Sequence, residues 1–258
     1  MRLRTVAATR YVTPLREGGS VPAIIEADDC GTYVLKFRGA AQGAKALVAE
    51  LVAGEVARAL GLPIPELVLV ELDPVLGRSE PDPELRAPLR ASGGLNIGLD
   101  YLPGSIAFDP ALAVSSLSGL AARIVWFDAL IANVDRSVRN PNLLLWHKEL
   151  YLIDHGAALY FHHDWATFSS HSGDRFQRTR DHVLLPFARD LAEADAQLAP
   201  LLSRDRVREI LAAVPDSWLA SDGPPEDARA IYVDWLWQRL NAPRGFAEEA
   251  AHAYAQLV

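Results

Sequence analysis

The sequence predicts a two-lobed α+β fold, with an N-terminal antiparallel sheet and one helix over residues 1–103 and a mostly helical part over 104–258. Three features predict it. Short runs of alternating apolar residues crowd the early positions around one strong helical period, and helical periods dominate beyond Asp181. Between them, from Asn133 to Gly156, stands a cluster of polar residues that packing alone does not explain.

Taken in order, Tyr11–Leu15 and Val21–Ala27 read as strands joined by Arg16-Glu17-Gly18-Gly19-Ser20. Two glycines at such a turn can bring backbone N–H groups up to a phosphate, although most Gly-Gly turns only close hairpins. In Thr32–Phe37, Tyr33, Leu35 and Phe37 share one face, and Lys36 lies on the other with Val34. A lysine there needs solvent or an anion, because burying an unpaired charge is costly. Gly43–Leu60 is a helix stopped by Gly61 and Pro63. Of its glutamates, Glu50 shares a face with Ala46, Ala53, Gly54 and Ala57, small residues that allow close approach to a sheet, whereas Glu55 falls nearer Val48 and Val52.

Glu66–Leu72 is a further strand, the proline-rich stretch 73–93 is expected to be an exposed loop, and Leu95–Pro103 is a strand ending in Asp100-Tyr101-Leu102. Leu117–Ala132 is an apolar helix interrupted by Asp128, a carboxylate better suited to bracing the following loop than to chemistry. Leu143–Trp146 and Leu150–Ile153 form a hairpin through His147, Lys148 and Glu149, in a register that sets residues 142 and 154 opposite each other. Residues 157–180 suit an irregular substrate-side segment, and His162, His163 and His171 lack the spacing of a zinc site. From Asp181 onward Val183, Leu184, Phe187 and Leu191, and later Ile231, Trp235, Trp237 and Leu240, mark a supporting bundle.

An Asp-Arg pair after a helix is commonly a cap, and Asn-Pro-Asn is an ordinary turn. The combination is far more specific. Asn140 stands 5 residues and Asp154 stands 19 residues after Asp135, the spacings of a kinase catalytic loop and its metal-binding motif. Phosphoryl transfer needs a carboxylate to orient and deprotonate the attacking hydroxyl, plus oxygen ligands that hold magnesium against nucleotide phosphates. Asp135, Asn140 and Asp154 have the chemistry for both tasks.

From about Arg10 to His163 the chain resembles the HipA-like kinases, distant relatives of eukaryotic protein kinases and phosphatidylinositol kinases. That family's Asp-Arg-His-x-x-Asn stands here as Asp135, Arg136, Ser137, Val138, Arg139 and Asn140, with Ser137 in place of the histidine. The Asp-Phe-Gly of protein kinases stands as Asp154-His155-Gly156. The resemblance implies a protein-kinase-like fold and an enzyme that uses ATP and Mg2+. It implies that Asp135, Asn140 and Lys36 are catalytic and that Asn140 and Asp154 bind the metal. Nucleotide contacts would come from Lys36 with its partner Glu50, from the turn Gly18, Gly19 and Ser20, and from the hinge Asp100, Tyr101 and Leu102. Toxins of the family phosphorylate proteins on serine, so a protein Ser/Thr acceptor is the first expectation and a peptide or small molecule the alternative. A regulatory partner protein fits the same picture. Ser20 is a candidate for self-modification, and a nucleotide-binding pseudokinase or a structural adaptor is the competing reading.

Composition sets outer bounds. A chain of 258 residues that is 50% hydrophobic can bury a substantial core. Its net charge of −8 argues against a general nucleic-acid binder. The single cysteine, Cys30, rules out an intramolecular disulfide framework. No signal peptide is evident and no apolar run approaches the about 18 residues of a membrane span, so a cytoplasmic location is expected. The chain begins almost directly at the strands expected to hold nucleotide, so the extra N-terminal domain of longer relatives is expected to be missing.

Overall fold

Five strands close into a barrel in the N-terminal part: β1 (Thr5–Pro14), β2 (Ala23–Ala27), β3 (Thr32–Lys36), β4 (Leu67–Leu72) and β5 (Gly94–Asp100), in the order β1-β2-β3-β5-β4. The structure, a computed structural model, describes residues 3–15, 22–39, 43–78, 82–112 and 118–257. Neighbouring strands run antiparallel except β1 and β4, which pair in parallel with Thr5 opposite Leu69. This corrects the expected all-antiparallel sheet. The chain from Thr5 to Ala7, upstream of the anticipated start at Tyr11, lies along β4 and removes a free edge. Register shifts between Ala8 and Arg10 and between Tyr11 and Thr13 bend β1 around the closure.

Period-two alternation sorts the barrel residues. Val6, Ile25, Tyr33, Leu35, Val68 and Val70 fill the interior, while Leu67, Ile97 and Leu99 face outward into the main core. Lys36 has the same outward parity. Gly98 points inward, where an added Cβ would lie 2.8 Å from Val70 Cγ2 and 3.1 Å from Val68 Cγ2.

The helices are α1 (Gly43–Ala59), α2 (Pro83–Ala91), α3 (Ser118–Leu130), α4 (Leu191–Leu198), α5 (Arg204–Ala212), α6 (Asp216–Leu219), α7 (Pro225–Leu240) and α8 (Gly245–Ala255). Every residue of α1 from Leu47 to Ala57 is buried, because the barrel covers one side and α5 and α6 the other. The small-residue face does what was expected of it, since a Cβ at Gly54 would collide with Leu67 Cδ1. The main apolar core runs without a break from α1 through α3 into α7 and α8.

The described residues of the stretch 73–93 are not the expected loop. They hold a short 3-10 turn over Pro74–Arg78 and then α2, whose Leu89 joins the barrel interior. Pro83 is tolerated as the first helical residue, where an N–H would have no intrahelical acceptor.

A second sheet has the order β6 (Ile106–Ala107), β7 (Leu143–Trp146), β8 (Glu149–Leu152). Trp146 pairs with Glu149, so the turn is the two residues His147 and Lys148, at φ 50° and 69°. The register therefore differs by one from the expected one: Asn142 lies opposite Ile153, whose N–H donates to Asn142 O at 3.1 Å. Residues 157–180 are irregular as expected, with 3-10 turns at Tyr160–His163, Phe168–Gly173 and Gln177–Asp181. Trp235 is core, stacked on Phe168 at 5.1 Å between ring centroids. Among the described residues no helix is long and apolar enough to cross a membrane.

Candidate active site

The outward parity of β3 brings Lys36 against α1. Its Nζ lies 2.6 Å from Glu50 Oε2 and 2.5 Å from Asp154 Oδ1. Glu55, the other mid-helix glutamate, pairs with Arg58 instead. Burial works against charge on Lys36, but the carboxylates of Glu50 and Asp154 outweigh it and raise its pKa above the ordinary lysine value. Burial likewise opposes ionisation of Glu50, and Lys36 with His155 reverses the balance, bringing that carboxyl down to about 2. His155 is wholly buried, with Nδ1 3.5 Å from Glu50 Oε1 and its ring edge-on to Phe127. The helix carrying Glu50 is tied down at its start by Lys45. That ammonium donates to His162 O at 2.5 Å, pairs with Asp222 at 3.1 Å and lies over the Trp165 ring.

After α3 the chain turns through Ala132 at φ 49° into the loop that carries Asp135. Asp128 braces that loop. Its carboxylate accepts from Asn133 Nδ2 at 2.8 Å, Arg136 Nε at 2.6 Å and His182 Nε2 at 2.9 Å. Leu184 N–H donates to His182 Nδ1 at 3.0 Å, which leaves Nε2 as the nitrogen that donates to Asp128. Burial favours the protonated acid at Asp128, yet the Arg136 charge and the His182 bond hold it well below the usual carboxylate range. Arg136 in turn donates from Nη1 to Asn142 O and, at 3.4 Å, to Ile153 O. One buried guanidinium thus joins the Asp135 loop to the residue that precedes Asp154. Arg239, brought down to about 10 by burial against the opposing charge of Asp174, covers the end of α3 by donating to Leu130 O at 2.8 Å and Ala129 O at 2.7 Å.

Asp135 is itself half-tethered. Its Oδ2 accepts from Asn140 Nδ2 at 2.9 Å and Asn142 Nδ2 at 3.3 Å, and its N–H donates to Asn133 Oδ1 at 3.1 Å. Among the described residues no donor reaches Oδ1. Asn140 therefore meets Asp135, and Asp154 meets Lys36. Asn140 and Asp154 do not bond each other; they are connected through Arg136 and the Asn142–Ile153 pair. Although the ladder is shifted by one, Asp154 leaves it at φ 55° and so still reaches Lys36.

Gly18, Gly19 and Ser20 lie outside the described residues. In the segment expected to be the hinge, Asp100 N–H donates to Glu66 O at 2.8 Å and Tyr101 N–H to Thr32 O at 3.0 Å, so of the three amides only Leu102 N–H lacks a backbone acceptor among the described residues. Sequence reasoning missed Asn142, His182, Arg239, Lys45 and the bridging work of Arg136. Asn142, in the Asn-Pro-Asn turn, was the one with a local signal.

The donor set suits magnesium. With one Asn140 amide hydrogen given to Asp135 and one Asp154 oxygen given to Lys36, Asn140 Oδ1 and Asp154 Oδ2 are hard oxygens available to a cation. The described residues contain no group of three His, Cys, Asp or Glu that could hold a metal alone.

A profile of the HipA-like kinases matches residues 9–245. No curated protein matches the sequence. Among solved structures, the Helicobacter pylori proinflammatory kinase CtkA aligns with a TM-score of 0.57 at 13% identity, covering 92% of this chain and 94% of that one. At that identity the likeness is one of fold. Two structures of the Golgi casein kinase align at 0.46 and 0.48, both at 14% identity, the second with Mn/ADP bound; they cover 99% and 98% of this chain and 72% and 73% of theirs. The family profile spans nearly the whole chain and the fold is that of a kinase, so this chain belongs to the HipA-like kinase family and is a phosphotransferase.

Proposed function

We propose that this kinase uses ATP and magnesium and transfers the γ-phosphoryl group to a serine or threonine hydroxyl of a protein. The observation that carries the reading is the Lys36 ammonium held between Glu50 and Asp154, beside a loop whose Asp135 keeps one carboxylate oxygen free. Lys36 contacts the nucleotide phosphates, and Glu50, ionised down to about pH 2, keeps it charged and in place. Magnesium, when bound by Asn140 and Asp154, would neutralise charge on those phosphates. Asp135 orients the acceptor hydroxyl. As the new O–P bond forms and the bond to the departing ADP oxygen breaks, Asp135 Oδ1 takes the proton, while Oδ2 stays engaged with Asn140 and Asn142.

In this reading residues 1–103 form the nucleotide lobe and residues 104–258 the catalytic lobe. The Leu102 amide meets the base. The test is label transfer from γ-labelled ATP. Asp135→Asn keeps the shape and loses the base, so turnover should fall by about 10² to 10⁴ while magnesium-ATP binding stays nearly intact. Turnover equal to the parent's would remove Asp135 from the mechanism.

A further inference from the structure

A groove and a much smaller cleft open beside the catalytic loop and share Val134, Phe176 and Arg178. One extends to Ser137 and His182, the other to Tyr160 and Arg175. The segment Arg175–Arg180, which contributes Phe176 and Arg178 to both, carries three arginines between Asp174 and Asp181 in a chain of net charge −8. The three are not equivalent. Arg175 is neutralised by Glu248 at 3.0 Å. Arg180 lies outside both grooves and donates to Gln177 O at 3.0 Å. Arg178 has no carboxylate partner among the described residues, and its guanidinium lies over the Tyr160 ring, 5.8 Å from the centroid. An aromatic face fixes a guanidinium while leaving its N–H edge open to an anion.

Each groove also carries one acid, Asp174 in the Tyr160 groove and Asp181 in the Ser137 groove. Asp174 Oδ1 accepts from Phe176 N–H at 2.6 Å, and Asp181 lines only the Ser137 groove. The segment is fixed relative to Asp135, because Val183 N–H donates to Arg136 O at 3.1 Å and Ser137 bridges to His182. Apolar surface flanks the grooves: Val138, inside the catalytic loop, is 67% exposed and Tyr160 is 45% exposed.

Resting on the kinase reading above, we propose that Arg178 is a specificity residue, which pairs with a carboxylate of an acidic peptide segment lying along these grooves with its serine or threonine hydroxyl presented to Asp135. A groove that runs from Arg178 past Phe161 and the exposed Tyr160 suits an extended chain better than a compact metabolite.

The experiment is fluorescence anisotropy with a dye-labelled serine peptide flanked by glutamates and its glutamine counterpart, on the parent, Arg178→Ala and Arg178→Lys. The parent should bind the glutamate peptide roughly tenfold more tightly at low salt, as one good charge-assisted pair allows, with the gap narrowing as salt rises. Arg178→Ala should erase the gap and Arg178→Lys should keep part of it. Stabilisation by magnesium-ATP, measured on the same samples, reports on the nucleotide site separately. A parent that magnesium-ATP stabilises but that binds both peptides equally overturns the proposal and spares the kinase reading. A glutamate preference that survives in Arg178→Ala overturns it as well.

Discussion

Asp128→Asn is the sharpest probe of how the Asp135 loop is held. The carboxylate is 1% exposed and its partner Arg136 2% exposed, so the pair sits where water cannot substitute for a lost charge. An asparagine side chain offers one acceptor and one donor in place of two acceptors. If its oxygen faces Arg136 and His182, its NH2 meets the Asn133 NH2; if it flips, its NH2 meets two other donors. Either way a buried donor is orphaned and the Arg136 charge is uncompensated. Removing one partner of a buried ion pair costs about 3–5 kcal/mol. For a chain near this size each kcal/mol moves Tm by about 2–4 °C, so a fall of roughly 6–20 °C is expected. Melting followed by circular dichroism reads it directly. Adding Arg136→Met to Asp128→Asn should recover part of the loss, because the stranded charge is gone. A fall of less than about 2 °C in the single variant would refute the bracing role.

Other outcomes follow from the same geometry. Because the folded Glu50 carboxyl titrates near 2, below its unfolded value, it contributes stability that is complete above about pH 4.5 and is lost as pH falls toward 2. Melts across that window should fall less steeply for Glu50→Gln than for the parent, and equal slopes would contradict the assignment. Gly98→Ala forces a methyl toward Val70 and Val68 in the barrel and should cost about 1–3 kcal/mol in urea unfolding; a neutral result would mean the barrel yields there.

What could be read in the sequence was local. Strict alternation in β3 sets the side on which Lys36 emerges, and the small residues of α1 distinguish Glu50 from Glu55. The polar loop was legible because Asp135 and Asn140 are 5 residues apart and bond directly. The turn at His147 and Lys148 was misjudged because neither residue is the Gly or Asn that two consecutive positive φ angles usually demand. Helix α2 was hidden in a proline-rich stretch whose Pro83 is a start signal rather than a break. The parallel β1–β4 closure and the Asp128–His182 and Arg239–Leu130 bonds join residues 54 to 109 positions apart, or strands with another element between them, and no short pattern encodes them.

The central claim is that Lys36 and Asp154 serve one magnesium-nucleotide. Calorimetric titration of magnesium-ATP into the parent, Lys36→Met, Asp154→Ala and the double variant tests it most directly. Each single change should weaken binding by about tenfold or more, and the double variant should lose clearly less than the two losses added together, because residues in contact on one ligand couple. Affinities unchanged by either substitution, or losses that add in full, would contradict it.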